Sequence, residues 1–123
     1  MKKHLLTLLL AITLVGFVNA QDSTPNKQFM QIAAVEMIYS TPSNSVLIIT
    51  NPDGTQTVEE LDNIINGLGV VKLKSIKANE SKIAQVLKRY TDKGWKLEKT
   101  IPYTISPEKD TNGFLMTRYM LSK

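Results

Sequence analysis

One segment limits the fold more than any other. Between Glu80 and Lys93, the residues Ile83, Val86, Leu87 and Tyr90 recur at i, i+3, i+4 and i+7, the spacing of a helix with a single apolar stripe. A helix of that kind must lay its stripe on another element. Asn79 stands where an N-cap side chain bonds the first-turn N–H groups. Gly94 stands where a residue in the left-handed conformation closes a helix, and Trp95 follows, positioned to pack back on Tyr90. The pattern predicts one amphipathic helix over about 80–93.

The rest of the chain supplies strands for that helix to cover. Residues 29–39 are apolar at both parities, with Met30, Ile32, Ala34 and Ile38 on one and Phe29, Ala33, Val35, Met37 and Tyr39 on the other. That suits a strand covered on both sides, while length alone leaves a helix open. Residues 46–50 are a β-branched run, and Asn51-Pro52-Asp53-Gly54 is a turn sequence, so a hairpin into 55–58 is expected. Leu61, Ile64, Ile65 and Leu68 then fall at helical spacing, closed by Gly67 and Gly69, with Thr57 and Glu60 spaced as a capping box. A short helix near 60–67 follows from that.

Beyond the long helix, 95–101 reads as a strand with Trp95, Leu97 and Ile101 on one side. Residues 102–113 carry two prolines, an aspartate and an Asn-Gly pair, which makes them a surface loop. Residues 114–121 close the fold as a strand, with Leu115, Tyr119 and Leu121 on one face and Phe114, Met116 and Met120 on the other. The expected class is α+β: an antiparallel sheet of four or five strands, the 80–93 helix on one face, and the short helix near 60–67.

The first 20 residues read differently from the rest. Lys2 and Lys3 precede an apolar run over 5–18, and Val18-Asn19-Ala20 supplies a cleavage site, the order of a secretory signal peptide cut after Ala20. As a membrane anchor the run is short against about 20 apolar residues, and Thr7 and Thr13 interrupt it. A flexible leader at 21–28, containing Pro25, then enters a single domain at 29–123. The chain has no cysteine, so lipid attachment and disulfides are both closed to it. The expected location is periplasmic or secreted, soluble and not a lipoprotein, with no transmembrane segment after cleavage.

The side-chain inventory excludes much chemistry. The sole histidine is His4, inside the leader. A chain without it has no serine or cysteine triad, no imidazole acid–base catalysis, and no zinc or copper site of the usual ligands. Asp53, Glu59, Glu60 and Asp62 cluster in sequence, but they read as a turn residue and the acidic start of a helix rather than a carboxylate pair flanking a sugar. A calcium loop aligned on Gly54 would put Ile49 at its first ligand position, which fails. Gly67-Leu68-Gly69 lacks the third glycine and the strand-to-helix order of a phosphate loop. No catalytic residue, metal or cofactor is expected.

Charge leaves one candidate. Without Lys2 and Lys3 the chain keeps 13 basic residues against 11 acidic. From 72 to 99, however, nine lysines and arginines face three acids. Lys82, Arg89 and Lys93 share a helical stripe, with Lys96 beyond, a possible site for an anionic glycan, lipid headgroup or polymer. No aromatic residue interleaves it, so nucleic acid is not expected. The plainer reading is a solvated flank.

At Gly94-Trp95-Lys96-Leu97, after an amphipathic helix and before a Thr117-Arg118-Tyr119-Met120-Leu121 strand, the chain resembles a group of small bacterial proteins of unknown function. Their helix ends in Gly-Trp-Glu-Leu, and they finish on a strand of the Thr-Arg-Tyr-x-Leu type. The likeness is best over 66–123, and exported members of this kind are typical of the Bacteroidetes. Lys96 replaces the usual glutamate. The resemblance implies a fold and no activity; its matching residues Gly94, Trp95 and Tyr119 have structural duties, as Asn79 and Tyr90 do from the helix pattern. The leading functional expectation is therefore an exported, non-enzymatic domain that binds or self-associates. Strands apolar on both parities leave the sheet face away from the helix for a partner or a second copy, unless the short helix covers it. A carboxylate-based enzyme is the remotest reading.

Overall fold

The computed structural model describes residues 26–38, 44–106 and 113–123. The expected signal peptide, leader residues 21–25, Tyr39 and loop residues 107–112 lie outside them. The described elements are β1 (Phe29–Met37), β2 (Val46–Thr50), β3 (Gln56–Glu60), α1 (Leu73–Thr91), β4 (Lys96–Ile105) and β5 (Phe114–Ser122). The strands form one antiparallel sheet in the order β3-β2-β1-β5-β4. The α+β class and the five-stranded sheet are as the sequence predicts.

β1 takes the centre because its two apolar parities are least costly where both neighbours shield the backbone. It pairs with β2 from Gln31 to Val35 and with β5 along its whole length. Its ladder to β5 continues outward, since Gln28 and Lys123 exchange both backbone bonds at 3.0 Å. The β2–β3 hairpin closes as expected. Gly54 has φ +83°, and the Asp53 carboxylate accepts from the N–H and hydroxyl of Thr55, bonds that hold it below the usual carboxylate range.

α1 covers one face. Met30, Ile32, Ala34, Leu47, Ile49, Leu61, Ile83, Val86 and Leu121 form the buried cluster, and Leu87, Tyr90, Trp95 and Tyr119 pack against it. The helix ends as expected, because the Trp95 N–H bonds the Tyr90 carbonyl and the Gly94 N–H bonds that of Thr91, with Gly94 at φ +89°.

Its start differs. Asn79 is not the N-cap but a buried residue inside a helix that begins at Leu73, with Lys72 at the cap position making no side-chain cap bond. The buried stripe runs Ser75, Asn79, Ile83, Val86, so its first two members are polar and the apolar period conceals them. Ser75 N–H and Ile76 N–H both reach the Lys72 carbonyl.

Among the described residues there is no helix near 60–67. β3 runs to Glu60, and the backbone beyond finds distant partners instead. Leu61 N–H bonds the Ser45 carbonyl, Asp62 N–H bonds Asn79 Oδ1, and the Ile64 carbonyl accepts from Lys72 N–H. Asn63 Oδ1 accepts from Ser45 N–H. A helix of two turns is marginal by itself and loses to bonds of this kind made beside a core. Leu61 and Ile64 are buried all the same.

The expected loop at 102–113 is also shorter than predicted, because β4 continues through Pro102 to Ile105. β4 is an edge strand, where proline's missing N–H need not leave a ladder bond unmade. A register shift between Leu97 and Lys99 makes Glu98 the extra residue of a bulge, and its carboxylate accepts from the Ser122 hydroxyl and pairs with Lys27 Nζ at 3.0 Å.

Candidate functional site

Alternation gives the sheet two faces, and α1 takes only one. Register sorts the other into rows across all five strands. Gln56, Thr50, Gln31, Met120 and Lys99 make the first, and Val58, Ile48, Ala33, Arg118 and Ile101 the second. Glu60, Val46, Val35, Met116 and Tyr103 make the third, with Met37, Phe114 and Ile105 beyond. Ala33 is buried by its larger neighbours, whereas Val46, Ile48, Val35, Met37, Met116, Met120 and Phe114 are half-buried and Val58, Ile101 and Tyr103 exposed.

The sequence left open which parity would face the helix. Met30 and Ile32 do, while Phe114, Met116 and Met120 look the other way. The segment expected to cover the second face as a short helix sends Leu61 to the α1 side instead.

A shallow groove of about 320 Å³ crosses this open face between Ile101, Tyr103, Met116 and Arg118. The Tyr103 and Phe114 rings are tilted at 49° with centroids 6.3 Å apart. Arg118 is exposed on the β5 side of that groove and forms no ion pair with any described residue. Glu60 stands three strands away at the opposite margin. The sequence places Glu60 in a capping box and an acidic cluster and Arg118 in the closing-strand motif, but it does not set the two on one face, although alternation along β3 and β5 would have done so.

The basic stripe is tied down more than its sequence suggests. Arg89 bonds Glu59 Oε1 at 2.9 Å, and Lys82 Nζ lies 3.7 Å from Glu59 Oε2 while donating to the Glu60 carbonyl at 2.7 Å. These contacts dock α1 on β3. The Arg89 bond, with the charges of Arg89 and Lys82 adding, holds Glu59 below the usual carboxylate range against the opposing effect of burial, and Glu59 in turn raises Arg89. A groove of about 410 Å³ between Glu59, Ser81, Lys82, Gln85 and Arg89 thus has a carboxylate in its lining. Lys93 Nζ lies 5.7 Å from the centroid of the Tyr90 ring, and Lys96 is exposed at the start of the edge strand. The four cations do not converge on a common point through any of these contacts.

Tyr90, Trp95 and Tyr119 lie against the core. Burial first, then the charges of Glu80 and Glu36, push the Tyr119 phenol up. Every described buried side-chain polar atom has a partner. Among the described residues no group of three or more His, Cys, Asp or Glu is placed to hold a metal ion, and no helix is long and apolar enough to cross a membrane. In comparisons with known protein families, curated proteins and solved structures, nothing matches the chain.

Proposed function

We propose that the chain is an exported, non-enzymatic domain that works by self-association, a second copy occupying the open face of the sheet. The observation that carries this reading is a pair of rows, Val58, Ile48 and Ala33 with Ile101 beyond Arg118 in one and Val46, Val35, Met116 and Tyr103 in the next, which no described element covers. Contiguous apolar surface of that breadth favours burial in a contact.

Two features favour a second copy over an unrelated partner. Arg118 and Glu60 are opposite charges on one face, three strands and one row apart, which is about 16 Å from strand spacing and rise per residue. A two-fold axis between β1 and β2 brings each against the other in the partner copy, as an isologous contact requires. Both sheet edges are blunted besides, β3 by its shortness and paired glutamates, β4 by Pro102, the Glu98 bulge and exposed lysines. Association is thereby directed to the face.

Light scattering across a concentration series tests this on the exported protein. The expected result is a mass rising to twice that of one chain, with Met116→Glu remaining at one chain and keeping its urea midpoint. A protein that stays at one chain throughout and binds no exposed-hydrophobe dye overturns the proposal.

A further inference from the structure

A second surface, independent of the sheet face, is built at the loop before α1. Of the large apolar side chains that are exposed, four fall within six residues: Leu68 (88%), Val70 (57%), Val71 (59%) and Leu73 (62%). The loop that carries them is closed and internally bonded. Val71 bridges to Ile65, Asn66 N–H bonds the Val70 carbonyl, and Lys72 N–H bonds that of Ile64. Gly69, at φ +76°, makes the turn.

The tip itself is bonded to one residue. Its three successive amides all bond Asn66: Leu68 N–H and Val70 N–H donate to the side-chain Oδ1 at 3.0 and 2.9 Å, and Gly69 N–H donates to the main-chain carbonyl at 2.9 Å. A loop in water does not need that, because water can satisfy exposed amides. A loop entering an apolar phase does, since an unpaired amide there is costly.

Charge identifies the phase. From Asn63 to Asn79 there is no Asp or Glu, and Lys72, Lys74 and Lys77, all exposed, follow the apolar tip directly. Exposed apolar side chains next to three exposed lysines match a bilayer whose headgroups carry negative charge, with the leucine and valines among the acyl chains and the lysines at the phosphates. From this we infer that residues 66–73 form a docking finger for an anionic phospholipid surface.

The test uses the protein recovered after export. All described strands and the helix lie within Phe29–Ser122, so cleavage after Ala20 removes none of them. Vesicles of phosphatidylcholine mixed with phosphatidylglycerol should co-sediment the protein, and vesicles of phosphatidylcholine alone should not. Leu68→Asn should abolish sedimentation at an unchanged urea midpoint. Replacing Lys72, Lys74 and Lys77 by Gln should weaken it roughly fivefold per charge. Leu68→Trp should give a blue-shifted emission on the mixed vesicles only, in addition to the constant Trp95 signal. Lys88→Gln, which removes the exposed Lys88–Asp92 pair in the last turn of α1, should bind like the parent. Protein left in the supernatant with both vesicle types overturns the inference, as does a Leu68→Asn variant that sediments like the parent. Loss of a dimer on Leu68→Asn, without vesicle binding by the parent, would assign the loop to a second copy instead and also overturns it. Because Leu68 is not on the open sheet face, failure here leaves the Met116→Glu experiment undisturbed.

Discussion

The side-chain amide of Asn79, in the interior of α1, donates to Glu36 Oε1 on β1 at 2.9 Å. The same amide donates to the Asp62 carbonyl, and its Oδ1 accepts from the Asp62 N–H at 2.8 Å. One buried residue therefore joins the helix, the central strand and the segment leaving β3. It also explains why that segment needs no helix of its own.

Asn79→Ala should cost about 2–3 kcal/mol, because it leaves a part-buried amide and carbonyl of Asp62 without partners. Asn79→Asp should cost more at neutral pH, since it keeps the acceptor but turns a carboxylate toward Glu36. Burial and the Glu36 charge raise the folded-state pKa of the new carboxylate, so that excess should shrink as pH falls through the raised value and be gone below about pH 4. Urea denaturation at the two pH values measures both effects, and a parental midpoint for Asn79→Ala would show the knot to be dispensable.

The same residue marks where the sequence stops being legible. Strands, hairpin turn, helix C-terminus and fold class follow from local pattern, because Val46–Thr50, Gly54 and Ile83–Tyr90 each obey one period or one turn rule. The first two turns of α1 do not, since Ser75 and Asn79 fill core positions with polar groups, and the partners of Asn79 are 17 to 43 residues away. Leu61 and Ile64 have helical spacing but meet the core as irregular chain, and Pro102 reads as a breaker although an edge strand accepts it. The open face was legible only as a possibility. Two apolar parities say that both sides want cover, and only the register shows which side α1 takes.

Glu59 and Arg89 give the fold a defined acid response. The folded-state pKa of Glu59 is depressed, so the stabilisation it brings is complete above the ordinary glutamate value of about 4.3 and disappears as pH falls through the lower, folded value. Arg89→Gln removes the largest cause. Carboxyl NMR titration should find Glu59 below the usual range in the parent and closer to it in the variant, where remaining attraction comes from Lys82. Identical titrations would mean that the 2.9 Å contact is not maintained in solution.

Trp95→Ala should destabilise the domain by about 3 kcal/mol, as Trp95 packs against the core where the chain passes from α1 into β4. Single Lys→Ala changes over 72–99 should stay within roughly 0.5 kcal/mol. The comparison is read from urea midpoints, and a parental midpoint for Trp95→Ala would move that indole to the surface as a binding platform.

The exported protein should begin at Gln21. Lys2 and Lys3, the apolar run over 5–18 and Val18-Asn19-Ala20 motivate the cut. Intact mass of protein recovered from periplasm or medium is the measurement, and a mass that includes residues 1–20 contradicts the prediction.

Charge exchange on the open face separates a second copy from any other partner. Arg118 sits among Ile101, Tyr103 and Met116, and Glu60 occupies the row of Val46 and Val35 at the β3 margin. In an isologous contact each arginine faces the glutamate of the other copy, so every single substitution disturbs two symmetric pairs at once. Arg118→Glu and Glu60→Arg should each weaken the dimer by about tenfold or more, by setting like charges together in a partly desolvated contact. Combining them restores opposite charges in both pairs and should recover most of the loss, which is the behaviour of coupled neighbours rather than of independent sites. Sedimentation equilibrium of the four proteins measures the three ratios. Additive losses in the double variant would mean that Arg118 and Glu60 do not meet across a two-fold axis.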